Sequence, residues 1–124
     1  MMSMDYIGVI DNFVETVRTP ILVIDDRSYV ISSNKAAVDL LGNDFKGRHF
    51  YVAIRQPIII NLVENAFNAN ENKKGNFYKT VSGVERTYKV TAEYSSELKI
   101  VSLSFYDTTD VIQANQMRRD FVSN

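Results

Sequence analysis

The sequence predicts an α+β domain, a five-stranded antiparallel sheet with its helices on one face. Two observations carry this expectation. The apolar period changes from 3.6 to 2 near Gly75, so helices dominate the middle of the chain and strands its last third. In addition, two short β-branched runs precede the helical middle, so strands flank a block of helices rather than alternating with them.

The first element is an amphipathic helix over residues 1–19. At 100° per residue, Tyr6, Ile7, Ile10, Phe13, Val14 and Val17 fall within an arc of ~120°, while Gly8, Asp11, Asn12 and Glu15 lie opposite. It ends near Arg18 and Thr19, with Pro20 as punctuation. Such a stripe either covers the open face of the sheet or meets a second copy across a two-fold axis, and dimer contact is the expectation.

"ILVIDD" and "SYVISSN" then read as a hairpin turning at Asp25-Asp26-Arg27-Ser28. Asn34 is placed to cap "KAAVDLLG", where Ala37, Leu40 and Leu41 make the apolar face and Gly42 suits a left-handed stop. "NDFKGRHFYVAIR" is short-helix and loop material pivoting on Gly47. In "QPIIINLVENAFNAN", Pro57 suits the first helical turn. Ile59, Leu62, Val63, Ala66, Phe67 and Asn70 keep the helical rhythm of this segment. "NANENKKGN" reads as a surface loop. Three strands follow: "GNFYKTVS"; "RTYKVTAEYS", with Tyr88, Val90, Ala92 and Tyr94 on one face; and "LKIVSLSFYD", with Val101, Leu103 and Phe105 on one face. "TTDVIQANQMRRDFVSN" returns to helical period. Val111, Ala114, Met117, Phe121 and Val122 form a seam interrupted by Arg118, a stripe that needs a partner helix.

Composition excludes several classes. The chain has 124 residues, 45% apolar and 23% charged, and is one domain by length. With 14 basic and 15 acidic residues and a net charge of −1, no basic face is implied, so neither a nucleic acid nor a membrane surface is an expected partner. The absence of Cys removes disulfides, thiolate catalysis and Cys-ligated metals. No apolar run spans a bilayer and no signal-peptide pattern opens the chain, so the anchor of a membrane-bound parent would lie outside these residues.

Catalytic sets are missing as well. Asp25 and Asp26 are adjacent, so on a strand they point to opposite faces and do not converge on one proton or cation; turn residues bonding their own backbone explain them better. No Ser-His-Asp set assembles, and the five scattered Gly make no phosphate cradle. His49, the single histidine, is a ligand contact or pH sensor on one reading and a locally bonded loop residue on the other. It has no second ligand for a metal. Tyr78, Tyr88 and Tyr94, with Phe67, Val90 and Leu103, either line a pocket between sheet and helices or fill the core. Asp107-Thr108-Thr109-Asp110 has the chemistry of a helix cap.

Taken in order, these elements resemble a PAS domain over residues 15–110. The resemblance is carried by the hairpin "PILVIDDRSYVISSN" with Ala36 and Ala37 after it, by "FKGRHF", and by "FYDTTD", where Asp107, Thr109 and Asp110 match the closing Asp-x-Thr-Asp/Glu element. It implies a PAS core over residues 20–107 and a linker helix over 108–124. It also implies that Asp107, Thr109 and Asp110 pass sheet distortion to the outgoing helix.

"MRRDFVSN" resembles the run leading into the phosphoacceptor motif of bacterial sensor histidine kinases, most closely the phosphate-regulon (PhoR-type) kinases. The phosphorylatable histidine is then expected just beyond Asn124. That resemblance implies a cytoplasmic domain of an inner-membrane protein, a homodimer, a PhoU-type adaptor as input and a response regulator downstream. It supplies no cofactor: haem-binding PAS domains carry a His on the long helix and flavin-adduct domains need a Cys, and this sequence has neither there. The alternatives are a PAS domain driving a cyclase or transcription regulator, or a small-molecule-binding or enzymatic α+β domain. The last would need a buried carboxylate beside a Tyr, yet Glu93 falls on the polar face opposite Tyr88 and Tyr94.

Overall fold

The computed structural model describes residues 4–109. Helix α1 (Met4–Glu15) leads into β1 (Ile21–Asp25) and β2 (Val30–Ser33). Three helices follow, α2 (Lys35–Leu41), α3 (Phe50–Ala53) and α4 (Pro57–Ala69), and then β3 (Lys73–Val81), β4 (Val84–Ser95) and β5 (Ile100–Asp107). The strands form one antiparallel sheet in the order β2-β1-β5-β4-β3, so the first and last strands lie side by side at its centre.

Local chemistry sets the boundaries. The Asn34 side chain accepts from the Ala37 N–H to cap α2, and Gly42 closes it at φ 82°. Pro57 opens α4, whose end falls at Asn70 in the left-handed region, φ 53°. Asn70 is therefore the terminator of α4 and not part of its apolar face, since Asn tolerates that conformation. In the first turn of the sheet, the Asp25 carboxylate accepts from the N–H groups of Arg27 (3.0 Å) and Tyr29 (2.9 Å), as turn chemistry predicts. Ser82 and Gly83 join β3 to β4 with both φ positive, a two-residue hairpin that matches strand twist.

Two boundaries depart from expectation. α1 stops at Glu15 and not near Thr19, because Thr16 and Val17 bond back three residues, to Phe13 and Val14. Lys73 and Lys74 belong to β3 and pair with Ala92 and Thr91, so the polar loop is shorter than expected. Lysines suit this strand because it is the sheet edge, where charge discourages further pairing.

One face of the sheet carries the main core. Leu22, Ile24, Val90, Ala92, Leu103 and Phe105 pack there against Ala37, Phe50, Ile59, Val63 and Ala66 from α2, α3 and α4. Phe77, with its ring 5.4 Å from that of Phe105, fills the β3 side. α1 takes the opposite face, where Val14, Ile21, Val23 and Ile100 form a second, smaller core with Ile10 and Val17 beside it.

Candidate functional site

Ile21 pairs with Ser104, and the Phe105 N–H donates to the Pro20 carbonyl at 3.0 Å. The chain therefore enters the sheet on β1 and leaves it on β5 at the same end of two paired strands. Both places are unusually well bonded.

At the exit, Asp107 Oδ1 accepts from the Thr109 N–H (2.9 Å) while Oδ2 accepts from Arg86 Nη1 (3.1 Å). Thr109 Oγ1 accepts from the Thr87 N–H (2.9 Å), and Thr108 donates through both N–H (2.8 Å) and Oγ1 (3.1 Å) to the Thr87 carbonyl. Five hydrogen bonds thus pin the last residues of β5 onto β4 or onto themselves. Thr109 is 5% exposed, so its hydroxyl is no solvent-facing ornament. Partial burial pushes the Asp107 carboxyl up, but the bonds from Thr109 and Arg86 and the Arg86 charge outweigh it and hold it below the usual carboxylate value. Desolvation and the Asp107 charge in turn push the neighbouring Tyr88 phenol up, against the opposing pull of Arg86.

At the entrance, Asn34 joins three segments. Its Oδ1 accepts from Ile21 N (3.1 Å) and Ala37 N (2.9 Å), and its Nδ2 donates to the carbonyls of Val17 and Thr19 (2.8 Å each). The helix cap is therefore also the clamp on the segment between α1 and β1. A second tie holds α1 to the sheet: the Asp11 carboxylate accepts from Ser32 on β2 and from Lys46. Desolvation pushes that carboxyl up; the Lys46 and Ser32 hydrogen bonds and the Lys46 charge hold it below its usual value. Periodicity puts Asp11 on the polar side of α1, whereas the structure turns it toward a buried serine.

The expected site residues separate accordingly. Asp107 and Thr109 meet at the exit; Arg86 and Thr87, which complete it, were not singled out from the sequence. The hairpin register supplies the missing signal. Ser95 faces Ile100, so Tyr88 faces Asp107 and Arg86 lies diagonally across from it. Asp110 and the seam of Val111, Ala114, Met117, Arg118 and Phe121 lie outside the described residues.

In the expected dimer stripe, Ile10, Val14 and Val17 pack on the chain's own sheet, and Ile7 lines a cavity beside it, while Tyr6 and Phe13 stand exposed with Val9. Among the pocket candidates, Tyr88, Val90 and Leu103 are buried in the main core with Phe67 and Tyr94 against it. Tyr78 does not join them. It pairs with Thr87 and faces the other side of the sheet, whereas Phe77, paired with Tyr88, points inward. His49 caps α3, its Nδ1 accepting from the Tyr51 N–H at 3.2 Å. Among the described residues no group of three or more His, Asp or Glu converges on a metal position.

No protein-family model and no curated protein matches the sequence. Solved structures do match. The PAS domain of Bordetella pertussis BvgS superposes with a TM-score of 0.70 at 17% identity, over 96% of this chain and 98% of that one. The PAS domain of nitrogen regulation protein NR(II) from Vibrio parahaemolyticus gives 0.58 at 13% identity, over 86% of this chain and 99% of that one. Histidine kinase ThkA, solved in complex with the response regulator protein TrrA, gives 0.66 at 18% identity over 90% of this chain. This chain spans 36% of the ThkA chain. At these identities the likeness is one of fold, and the fold is that of PAS domains.

Proposed function

We propose that this PAS fold is the sensory and coupling domain of a two-component sensor histidine kinase. The observation that carries the reading is the exit joint: a carboxylate and two threonines at the end of a central strand, bonded to Arg86 and Thr87 on the neighbouring strand. Charge-assisted and partly buried bonds of this kind have two discrete states, made or broken, which is what a switch requires. An input that shifts β4 against β5 changes whether the joint holds and so biases the packing of whatever helix follows.

The kinase output rests on the resemblance of "MRRDFVSN" to the approach to a phosphoacceptor histidine. The same resemblance supports phosphate-starvation signalling, a PhoU-type adaptor as input and a cytoplasmic position in an inner-membrane protein. ThkA, with its response regulator complex, supports a response regulator as downstream partner. A homodimer is supported by the exposed apolar residues of α1, Tyr6, Val9 and Phe13.

The test uses the full-length protein that contains this domain. With labelled ATP it is expected to phosphorylate itself on histidine. Arg86→Gln and Asp107→Asn are each expected to change that rate severalfold and to blunt its response to phosphate limitation. A full-length protein that takes up no label sinks the kinase reading. Labelling that is unchanged in both variants sinks the role of the joint.

A further inference from the structure

Between α3 and the start of α4 lies an open pocket of about 490 Å³ lined by His49, Tyr51, Val52, Arg55 and Ile60. It lies outside the sheet-and-helix interior, and its volume is in the range of small-ligand sites. We propose that it binds a small aromatic carboxylate, with the ring on the apolar and aromatic floor and the carboxylate on Arg55.

The walls are held in place before any ligand arrives. The His49 ring lies 4.4 Å from that of Tyr51 at 72° and stacks on buried Phe50 at 5.7 Å and 13°. Tyr29 meets it edge-on at 5.5 Å and 70°. The Tyr51 hydroxyl donates to the Glu64 carboxylate on α4, which fixes that ring as well. Rings met edge-on and in offset stacks favour another flat ring over a flexible chain. Val52 and Ile60, both half-buried, supply the remaining apolar surface.

The polar chemistry selects an anion. Because His49 Nδ1 accepts the Tyr51 N–H, the neutral ring carries its proton on Nε2 and offers a donor there. Arg55 is exposed, and the ion pairs among the described residues are Lys46–Asp11, Lys73–Glu71 and Arg86–Asp107, so within that set its guanidinium has no carboxylate of its own. No Asp or Glu lines the pocket, and the nearby Glu64 is engaged by Tyr51. A planar guanidinium matches a carboxylate with two parallel bonds. A cation would meet Arg55 unfavourably, and a bare inorganic anion would leave the apolar floor unused.

The inference stands on this pocket alone, whatever domain follows the chain. Its test is a titration of the 124-residue chain followed by amide chemical shifts, with benzoate, benzyl alcohol and inorganic phosphate as probes. Benzoate is expected to shift the amides of Tyr51, Val52, Arg55 and Ile60, with a Kd about fivefold below that of benzyl alcohol, as one exposed ion pair allows. Arg55→Gln is expected to erase that difference, and Ile60→Glu to abolish the shifts while the rest of the spectrum stays folded. Benzoate binding no tighter than benzyl alcohol overturns the proposal. So do equal shifts with phosphate, or shifts that map elsewhere.

Discussion

Asn34 uses every hydrogen-bonding position it has: two donors and two acceptances, all inside the protein and at 1% exposure. Asn34→Ala leaves four backbone groups without those partners and is expected to cost ~2–4 kcal/mol, read as a lower urea midpoint. Asn34→Asp separates the two jobs. It keeps the acceptors for Ile21 and Ala37, but in place of the amide it sets a carboxylate oxygen against the Val17 and Thr19 carbonyls. If Asp were tolerated as well as Asn, the clamp on the α1–β1 segment would be dispensable and Asn34 would be a helix cap only.

Asp107 makes a pH prediction at the same scale. A carboxyl held below its unfolded value stabilises the fold above that unfolded value, near ~3.9, and loses the contribution as pH falls through its folded value. The stability gap between wild type and Asp107→Asn is therefore expected to be widest at neutral pH and to close below about pH 4. Urea midpoints taken from neutral to acid pH measure it. A gap that is constant across that range would mean Asp107 is not held by Arg86 and Thr109 in solution.

At the scale of elements, α1 divides its work between its faces. Val14 is 2% exposed against the sheet, whereas Phe13, its neighbour, is 66% exposed. Val14→Ala is expected to destabilise the monomer by ~1–2 kcal/mol. Phe13→Lys is expected to change monomer stability by no more than ~0.5 kcal/mol and to weaken any self-association through α1. Urea titration and sedimentation velocity read the two effects apart. Equal losses of stability would show that Phe13 packs within the chain.

This division also shows what the sequence allows a reader to see. Asn34, Gly42 and Pro57 were legible because each meets a backbone demand within a few residues of itself. The first two strands were legible as short β-branched runs around a turn, and the last two from their alternating period. Phe77 and Tyr78 were not separable, since adjacent aromatics leave the inward one to be decided by register with β4. Asp11 misled because its partner Ser32 is a buried polar residue on another element, invisible to any pattern within α1. The exit joint was half legible: Asp107 and Thr109 from their motif, but Arg86 and Thr87 only once β4 and β5 are set in register.

For the whole molecule, the decisive fact is that entrance and exit share one end of two paired strands. β5 lies between β1 and β4, bonded to Pro20 on one side and to Thr87 on the other. Strain at the exit joint therefore has a short path to the segment where α1 enters, through backbone bonds and without crossing the helical layer. Thr109→Val removes the acceptor for the Thr87 N–H while keeping the shape of the side chain. Amide exchange is expected to speed up at Thr87, at Phe105 on the adjacent strand, whose N–H holds Pro20, and at Ile21, two strands away. The β4–β5 hairpin is the internal control, because its turn bond, from the Lys99 N–H to the Ser95 carbonyl, lies at the opposite end of those strands from the joint. Faster exchange confined to Thr87 would mean that the joint is a local cap. Faster exchange at Ile21 and Phe105 with an unchanged hairpin would mean that the two ends of the domain move as one unit.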